Sequence, residues 1–386
     1  MSSTDPKNPS PRPSPPHATR GRGREDDARF PLRTVAWAVL LVCGLFVWML
    51  YVMGSQSARA WRALLVNFAL FTPMAAGLVT WSAVVTCARG HWSGRLERLN
   101  LAGLSFAPAS LLALVALCIG AGTWAPWARQ TPHQGAWLSP AAVFSRDIVM
   151  LAAFWMLAWH YARRRTRGAG KVAGAFTIVG YCATFTLLSF DLVMALDPEW
   201  SSEIFGAYFF VSGMYSGVTL WTFLACFSPD ATADRRHDLA KLMVAFSILT
   251  FYTAYAQLLV IYYENIPAET RFWVPRFNLA PWKWVSVFIA GLVYLGPLVI
   301  LLTVKAKRSR SFLRAFALAV LLGTWVERWW LVEPAFVPHR LPIGPAELSI
   351  SAAFLGAFGL GFDLVKRHLP EDLPEEEESE IITLGT

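Results

Sequence analysis

Long apolar runs separated by short polar stretches dominate this chain. A membrane-spanning helix needs about 20 largely apolar residues, and ten runs reach that length. They lie near residues 32–54, 62–86, 101–123, 138–162, 171–196, 203–228, 238–263, 282–304, 311–332 and 346–366. Inside a bilayer each such segment must satisfy its backbone hydrogen bonds internally. The pattern therefore predicts an all-α polytopic membrane protein with ten transmembrane helices.

Composition agrees with this prediction. Of the 386 residues 55% are apolar and 16% are charged, with a mean hydropathy of +0.42, a balance that excludes an ordinary soluble globular protein. The formal charge of +8 does not indicate nucleic-acid binding, because Lys and Arg cluster between the apolar runs and no RNA- or DNA-binding module is present. The positive-inside rule instead predicts that both termini are cytoplasmic.

Two internal alignments predict a duplication. TPMAAGLVTWS, beginning at Thr72, aligns with SGMYSGVTLWT, beginning at Ser212, so that Gly77 matches Gly217. DLVMALDP, beginning at Asp191, aligns with ERWWLVEP, beginning at Glu327, and each contains an acid, five residues, a second acid and Pro. An offset of four helices preserves orientation, so the repeat is parallel. We expect two tandem four-helix bundles with one flanking helix at each end.

The chain is divided accordingly. Its termini are predicted to be solvated cytoplasmic tails, because the first is rich in Pro, Ser and Arg without an apolar core and the last is acidic. The predicted segments are a basic tail at 1–30, a first transmembrane helix at 31–57, a first bundle at 58–201, a second bundle at 202–336, a last helix at 337–366 and an acidic tail at 367–386.

Charged residues inside the apolar runs are the candidate functional groups. An ionisable side chain near the membrane centre is costly, so it is usually paired within the protein or lines a path. Asp197 and Glu333 lie at the predicted outer interface, and Asp191 and Glu327 lie six residues deeper, about 9 Å along a helix. Arg146 has a similar depth, about 12 Å, so an ion pair between Arg146 and Asp191 is geometrically feasible.

Two interpretations of these groups remain open, a set of structural ion pairs and a proton path with acids at stepped depths. The proton-path candidates are Asp191, Asp197, Glu327, Glu333, Arg146, Asp147, Arg328, Glu264 and Gln257.

Other chemistry has little support in the sequence. The five cysteines never form a CxxC pattern, and only one histidine lies within an apolar run, too few for the axial pairs of a haem-bearing bundle. No nucleotide-binding, hydrolase or metal-ligand motif is found. We therefore assign no catalytic, cofactor-binding or metal-binding residue.

The segments FDLVMALDPEWSSEIFGAYFF, YYENIPAETRFW and ERWWLVEPAF resemble the second NrfD-like membrane subunit (ActF type) of bacterial alternative complex III, a quinol:electron-acceptor oxidoreductase. The resemblance runs from about residue 32 to residue 366 and is most specific from Asp191 to Phe210. It implies a ten-helix, cofactor-free subunit of the bacterial inner membrane. In such complexes a periplasmic protein holds the iron-sulfur clusters, c-type cytochrome subunits hold haem c, and a paralogous NrfD-like subunit is regarded as the quinol site.

The resemblance implies that the chain anchors a quinol:cytochrome c or related oxidoreductase, is not catalytic alone, and conducts protons through the acids named above. One alternative is an NrfD-like subunit that itself holds the quinol, for which a pocket between helices of the first bundle, near Arg146, Asp147 and Asp191, would be the sign. A secondary transporter is a third interpretation. Transporters, however, usually contain helices broken near the membrane centre.

Overall fold

A computed structural model describes residues 32–90, 92–129, 135–370 and 372–374. These residues form helices and no strand, and ten helices are long and apolar enough to cross a membrane. They are α1 Leu32–Met53, α2 Ser57–Cys87, α3 Gly94–Trp124, α4 Pro140–Arg165, α5 Lys171–Leu196, α6 Ile204–Ala225, α7 Ala233–Glu264, α8 Trp282–Ile300, α9 Arg310–Ala335 and α10 Pro345–His368. The predicted all-α, ten-helix membrane protein is confirmed. The predicted tail at 1–30 lies outside the described residues, as does most of the acidic tail.

Local sequence explains several helix ends. Ser139 precedes α4, and its hydroxyl accepts a hydrogen bond from the Ala142 backbone N–H, while Pro140 occupies the first helical position, where no N–H is needed. α7 begins after Thr232, whose hydroxyl accepts from the backbone N–H of Arg235. The same helix ends at Asn265 in a left-handed conformation with φ of 46°, a common way to close a helix. These caps place the α4 and α7 side chains at defined depths.

α2 and α6 form the centre of the molecule. The spanning part of α2 is buried on all sides, because it packs against α3, α5, α6, α9 and α10. α1, by contrast, packs mainly on α10 and exposes apolar side chains such as Val42 and Phe46. An apolar helix surface of this kind suits lipid contact.

Two aligned glycines meet where α2 crosses α6. A Cβ added to Gly77 would lie 3.0 Å from the Gly213 carbonyl oxygen, and one added to Gly217 would lie 3.0 Å from the Gly77 carbonyl carbon. Small residues allow such close helix contact within membranes. Because Gly77 and Gly217 are matched by the internal alignment and lie at the contact between matched helices, the geometry favours the duplication.

The remaining helices pack in two groups. α2 contacts α3 and α5, and α4 contacts both of these neighbours, whereas α6 contacts α7 and α9, with α8 packed on α7 and α9. We refer to α2–α5 as the first bundle and α6–α9 as the second. The exact domain boundaries at 58–201 and 202–336 stay predictions. One irregularity stands out in α8, where Ala290–Leu295 is π-helical, a form that often occurs at functional sites.

Candidate functional site

Arg146 and Asp191 meet in the predicted outer half of the first bundle. The guanidinium of Arg146 on α4 donates from Nε and Nη2 to the two carboxylate oxygens of Asp191 on α5, at 2.6 and 2.5 Å. Asp191 is 1% exposed and Arg146 is 18% exposed. Arg146 also donates from Nη1 to the Trp137 carbonyl at 2.7 Å, and its guanidinium lies over the Trp137 ring. The pair is bidentate and fixes α4 against α5.

Asp147 faces the interior beside this pair. Its carboxyl is fully buried and lies next to that of Asp191. Neither oxygen of Asp147 has a hydrogen-bond partner among the residues that the structure describes. Burying a carboxyl group without a donor is costly, so this position calls for a bound water or a proton. The structure thus brings together three predicted residues on two adjacent helices.

Glu327, the repeat counterpart of Asp191, has a different environment on α9. Its Oε1 accepts hydrogen bonds from the hydroxyl groups of Tyr208 on α6 and Tyr294 on α8, at 2.5 and 2.6 Å. Its Oε2 has no partner in the described part of the chain. The sequence analysis did not identify either tyrosine, because nothing in the sequence shows which of many aromatic residues will face one buried acid.

Arg328 follows Glu327 but points elsewhere. One Nη donates to the Ser212 hydroxyl on α6, and the guanidinium lies 4.8 Å from the centre of the Phe209 ring. Nε and the other Nη, both buried, lack partners within the described residues. Adjacent residues on a helix point about 100° apart, which explains why this cation does not pair with Glu327.

Glu333 belongs to a network at the predicted outer ends of three helices. Arg62 on α2 donates to Glu333 on α9 at 3.0 Å, and the neighbouring Arg59 makes a bidentate pair with Glu347 on α10 at 2.5 and 2.7 Å. Both carboxylates are fully buried. Arg59, Arg62 and Glu347 are absent from the sequence-based candidates, because they lie where helices begin. A charged residue at a helix start cannot be distinguished in the sequence from an ordinary residue of the membrane interface.

Asp197, the counterpart of Glu333, lies at the end of α5 and pairs with a loop. Arg271 approaches it at 3.1 Å and also pairs with Glu199. Burial raises the pKa of the Asp197 carboxyl above its usual range, although the Arg271 charge acts in the opposite direction. This position is closer to the surface than Asp191, as predicted from its place in the helix.

The two other predicted residues lie apart from these acids. Gln257 is buried on α7, where its amide donates to the Thr253 carbonyl at 3.1 Å and its oxygen accepts from the Ser202 hydroxyl at 3.3 Å. Glu264 is exposed at the end of the same helix, beside Glu269. The structure gives Gln257 a local structural contact and gives Glu264 a surface position.

A further buried acid, Glu97, lies in the predicted inner half of the first bundle. Arg165 at the end of α4 donates to both carboxylate oxygens of Glu97, at 2.9 and 3.0 Å. The Ser82 hydroxyl donates to Glu97 at 2.7 Å, and the Tyr161 hydroxyl hydrogen-bonds with Ser82 at 2.8 Å and with Thr86 at 2.9 Å. All five side chains are buried.

Sequence reasoning missed this inner cluster for a definite reason. Glu97 stands before the apolar run that begins near 101, and Arg165 belongs to a basic stretch that indicates a cytoplasmic loop. The structure begins α3 at Gly94, which draws Glu97 into the bundle. The sequence signal that could have predicted this pair is the opposite charge of Glu97 and Arg165, which flank two neighbouring apolar runs.

The pocket for a quinone near Arg146, Asp147 and Asp191 stays a prediction. A cavity bordered by Leu65, Phe185 and Phe209 measures only about 10 Å³. A larger cavity of about 230 Å³ lies in the second bundle between α7 and α8. Its walls include Phe251, Tyr255, Trp273, Phe277, Tyr294 and Trp330.

Comparison with known proteins adds one relationship. The chain is 31% identical over 175 residues to a selenate reductase subunit of Mesobacillus selenatarsenatis. The match covers 44% of this chain and 39% of that protein's length. No protein-family model matches the chain.

Proposed function

We propose that this chain is a cofactor-free membrane subunit of a quinol:electron-acceptor oxidoreductase complex, in which it anchors the assembly and conducts protons. The similarity to a selenate reductase subunit and the ten spanning helices support a membrane subunit of an oxidoreductase. The proposal includes the partners that the family resemblance implies: an NrfD-like paralogue, an iron-sulfur protein and c-type cytochromes. It also places the chain in the bacterial inner membrane with cytoplasmic termini.

The observation that carries the proton role is the presence of buried acids near both ends of the first bundle. Asp147 and Asp191 lie near one end, and Glu97 lies near the other. Along α4, Asp147 and Tyr161 are 14 positions apart, about 21 Å at the rise of a helix. Proton transfer requires groups within hydrogen-bond reach or one water of each other. Because about 21 Å is far beyond that reach, we treat the two clusters as separate parts of the path, an outer half and an inner half.

The chemistry of each cluster suits this role. Asp147 has two oxygens without hydrogen-bond donors among the described residues, so it can hold a proton or a water molecule beside Asp191. On the inner side the hydroxyl groups of Ser82, Thr86 and Tyr161 continue from Glu97 into the bundle. Hydroxyl groups both donate and accept hydrogen bonds, as a proton path requires.

The test uses the intact complex, purified from its native membrane and placed in lipid vesicles. Asp147→Asn and Glu97→Gln keep side-chain size and remove the titratable group. We expect quinol oxidation to continue while the number of protons moved per quinol falls in both variants. Asp238→Asn is the matched control, since Asp238 pairs with Lys241 on the exposed surface. Unchanged proton stoichiometry in both test variants would refute the proton role.

A second candidate function is that this chain itself holds the quinol, and the cavity between α7 and α8 favours it. Aromatic walls and a lipid-facing setting suit a flat apolar ring. Tyr294 lines this cavity and donates to Glu327, so a buried proton acceptor lies behind the wall.

A photoreactive quinone analogue tests the second candidate in the same complex. If this chain holds the quinol, label should appear within residues 251–294, and Tyr294→Phe should reduce labelling. Tyr252→Phe is the control, since Tyr252 is exposed and does not line the cavity. Label confined to other subunits would eliminate the second candidate without affecting the proton proposal.

A further inference from the structure

A second large cavity opens at the predicted cytoplasmic end of the first bundle. It measures about 430 Å³ and lies where α2 ends, α3 begins, α4 ends and α5 begins. Glu97 and Arg165, the ion pair of the inner cluster, form part of its lining. The cavity therefore lies beside the buried inner cluster, at the predicted inner interface of the membrane.

The lining of this cavity carries an excess of positive charge. Its charged members are four basic and two acidic residues: Arg89, Arg95, Arg165, Lys171, Glu97 and Asp372. The two acids pair with Arg165 and Arg95. Within the part of the chain that the structure describes, Arg89 and Lys171 make no ion pair. These two cations remain to attract an anionic ligand.

A buried hydroxyl group belongs to the same lining. Ser93 is 1% exposed and lines the cavity, and its Oγ makes no hydrogen bond to any residue that the structure describes. A buried hydroxyl group without a partner costs free energy, so this position calls for a hydrogen-bond acceptor. An anionic oxygen bound in the cavity would be such an acceptor.

Arg89 occupies a helix end at which glycine is usual. The N–H of Gly90 donates to the Val85 carbonyl at 2.8 Å, and the N–H of Arg89 donates to the Thr86 carbonyl at 3.1 Å. This is the Schellman pattern, and it places Arg89 in the left-handed region with φ of 53°, a conformation that favours glycine. An arginine in this conformation is costly, which favours a role for its side chain at the cavity.

An exposed apolar surface begins beside the cavity. Lys171 lines the cavity at the start of α5 and is followed along that helix by Val172, Phe176 and Val179, all of which are exposed. Residues at this spacing lie on one face of a helix and extend over about 10 Å. We call these three residues the apolar stripe of α5. A phospholipid combines the two chemistries found here, because its phosphate group lies at the membrane interface and its acyl chains lie against apolar side chains.

We propose that this cavity binds the phosphate group of an anionic phospholipid, with an acyl chain along the apolar stripe of α5. Arg89 and Lys171 supply the positive charge, and the Ser93 hydroxyl donates to a phosphate oxygen. Basic pockets between membrane helices on the cytoplasmic side suit anionic headgroups. A zwitterionic headgroup fits less well, because two unpaired cations repel its ammonium group. A soluble phosphate ion has the charge without the apolar chain, so the experiment separates these two sources.

The rate at which Lys171 reacts with a neutral, membrane-permeant amine reagent tests the proposal in the intact complex. One set of vesicles contains phosphatidylcholine alone, a second contains phosphatidylcholine with phosphatidylglycerol, and a third contains phosphatidylcholine in a buffer with inorganic phosphate. We expect Lys171 to react about fivefold more slowly in the phosphatidylglycerol vesicles alone, the effect of one basic residue beside an anionic lipid surface. Lys241, which pairs with Asp238 near the predicted cytoplasmic end of α7, controls for general effects of surface charge.

Substitutions separate the cavity from the rest of the basic surface. Arg89→Gly removes a cation from the cavity and introduces the residue that this helix end favours, so we expect normal folding and loss of most of the protection of Lys171. Arg167→Gln is the matched control, since Arg167 is exposed after α4 and does not line the cavity. Its protection should equal that of the native chain. Ser93→Ala should reduce the protection by less than Arg89→Gly, because a neutral donor contributes less than a charged one.

Three results would overturn the proposal. Lys171 reacting equally fast in both lipid mixtures would show that no anionic lipid binds beside it. Equal protection by inorganic phosphate in phosphatidylcholine vesicles would identify a soluble anion as the ligand. Equal loss of protection in Arg89→Gly and Arg167→Gln would show general attraction to the surface.

These outcomes are separate from the proton proposal. The reactivity of Lys171 reports a bound lipid, whether or not Glu97 transfers protons. Conversely, an unchanged proton stoichiometry in Glu97→Gln would refute the proton role and leave the lipid site in place.

Discussion

The two bundles place an acid at the same repeat position and surround it differently. Asp191 in the first bundle faces a bidentate guanidinium from Arg146, whereas Glu327 in the second faces two phenol hydroxyl groups. A guanidinium stabilises the charged carboxylate, while hydroxyl groups can hydrogen-bond to either protonation form. The two aligned positions thus both hold a buried acid, but the neighbouring groups differ in what they allow that acid to do.

Glu333 and Asp197, the acids at the predicted outer interface, differ in a parallel way. Glu333 pairs with Arg62 of the central helix α2 and is fully buried, so it joins the two bundles. Asp197 pairs with Arg271 in the loop before α8. Glu333 therefore links two long helices, whereas Asp197 links the end of a helix to a loop.

Loss of the Asp191 charge is expected to lower the stability of the chain more than any of the other substitutions. Asp191→Asn leaves the Arg146 guanidinium without its anion, and breaking a buried ion pair costs about 3–5 kcal/mol. We expect a large fall in the thermal unfolding midpoint of the purified complex, followed by tryptophan fluorescence. The double variant Arg146→Gln with Asp191→Asn should recover part of the loss. A single variant as stable as the double variant would contradict the prediction.

The hydroxyl groups around Glu327 give the next largest effect. Tyr294→Phe removes one donor to a buried carboxyl group, and hydrogen bonds to charged groups contribute about 1.5–3 kcal/mol. The unfolding midpoint should fall, though by less than in Asp191→Asn. Tyr252→Phe, at an exposed position on α7, should behave as the native chain. Equal midpoints for the two variants would show that the Tyr294 hydroxyl contributes nothing.

The close contact of Gly77 with Gly217 between α2 and α6 should not tolerate an added methyl group. In Gly217→Ala the new methyl group would lie 3.0 Å from the backbone of Gly77, and overpacking of this kind costs about 1–3 kcal/mol. Gly122 on α3 has open space around its Cβ position. Gly122→Ala is therefore the control, and its stability should stay the same or rise. The prediction fails if both alanine variants have the same unfolding midpoint.

The smallest effect is expected at Asp197. Burial raises its pKa despite Arg271, so the charged form is disfavoured in the folded chain and this cost disappears as the pH falls through the folded-state pKa. Asp197→Asn should raise stability slightly at neutral pH, by less than about 1 kcal/mol for a partly exposed ion pair. The difference from the native chain should shrink on acidification. Midpoints measured from pH 7 to pH 4 check this, and a difference that grows towards acid would contradict it.

Much of the fold follows from sequence because membrane physics restricts the choices. The ten predicted runs and the ten observed helices agree within several residues at most ends. The largest deviation is at α3, which begins at Gly94 rather than near 101. Its first two turns contain Arg95, Glu97 and Arg98, so they do not read as part of an apolar run, although a helix can extend beyond the apolar core into the interface.

Site prediction was less complete for a different reason. The depth of a residue along a predicted helix follows from its position in the sequence, so Arg146 and Asp191 were placed at similar depths. The sequence does not show how each helix is rotated about its axis or which helix it faces. Tyr208 and Tyr294 therefore could not be assigned to Glu327. The same limitation explains why Arg328 was grouped with Glu327 although its guanidinium contacts Ser212.

The number of spans, their order and the repeated spacing of acids and glycines follow from hydrophobic length and local sequence pattern. Tertiary packing alone decided that Glu97 enters the first bundle, that Asp191 meets a cation while Glu327 meets hydroxyl groups, and that Pro374 reaches Arg165. These contacts join residues far apart in the chain. Their existence depends on how rigid helices rotate and pack against one another, which no local pattern encodes.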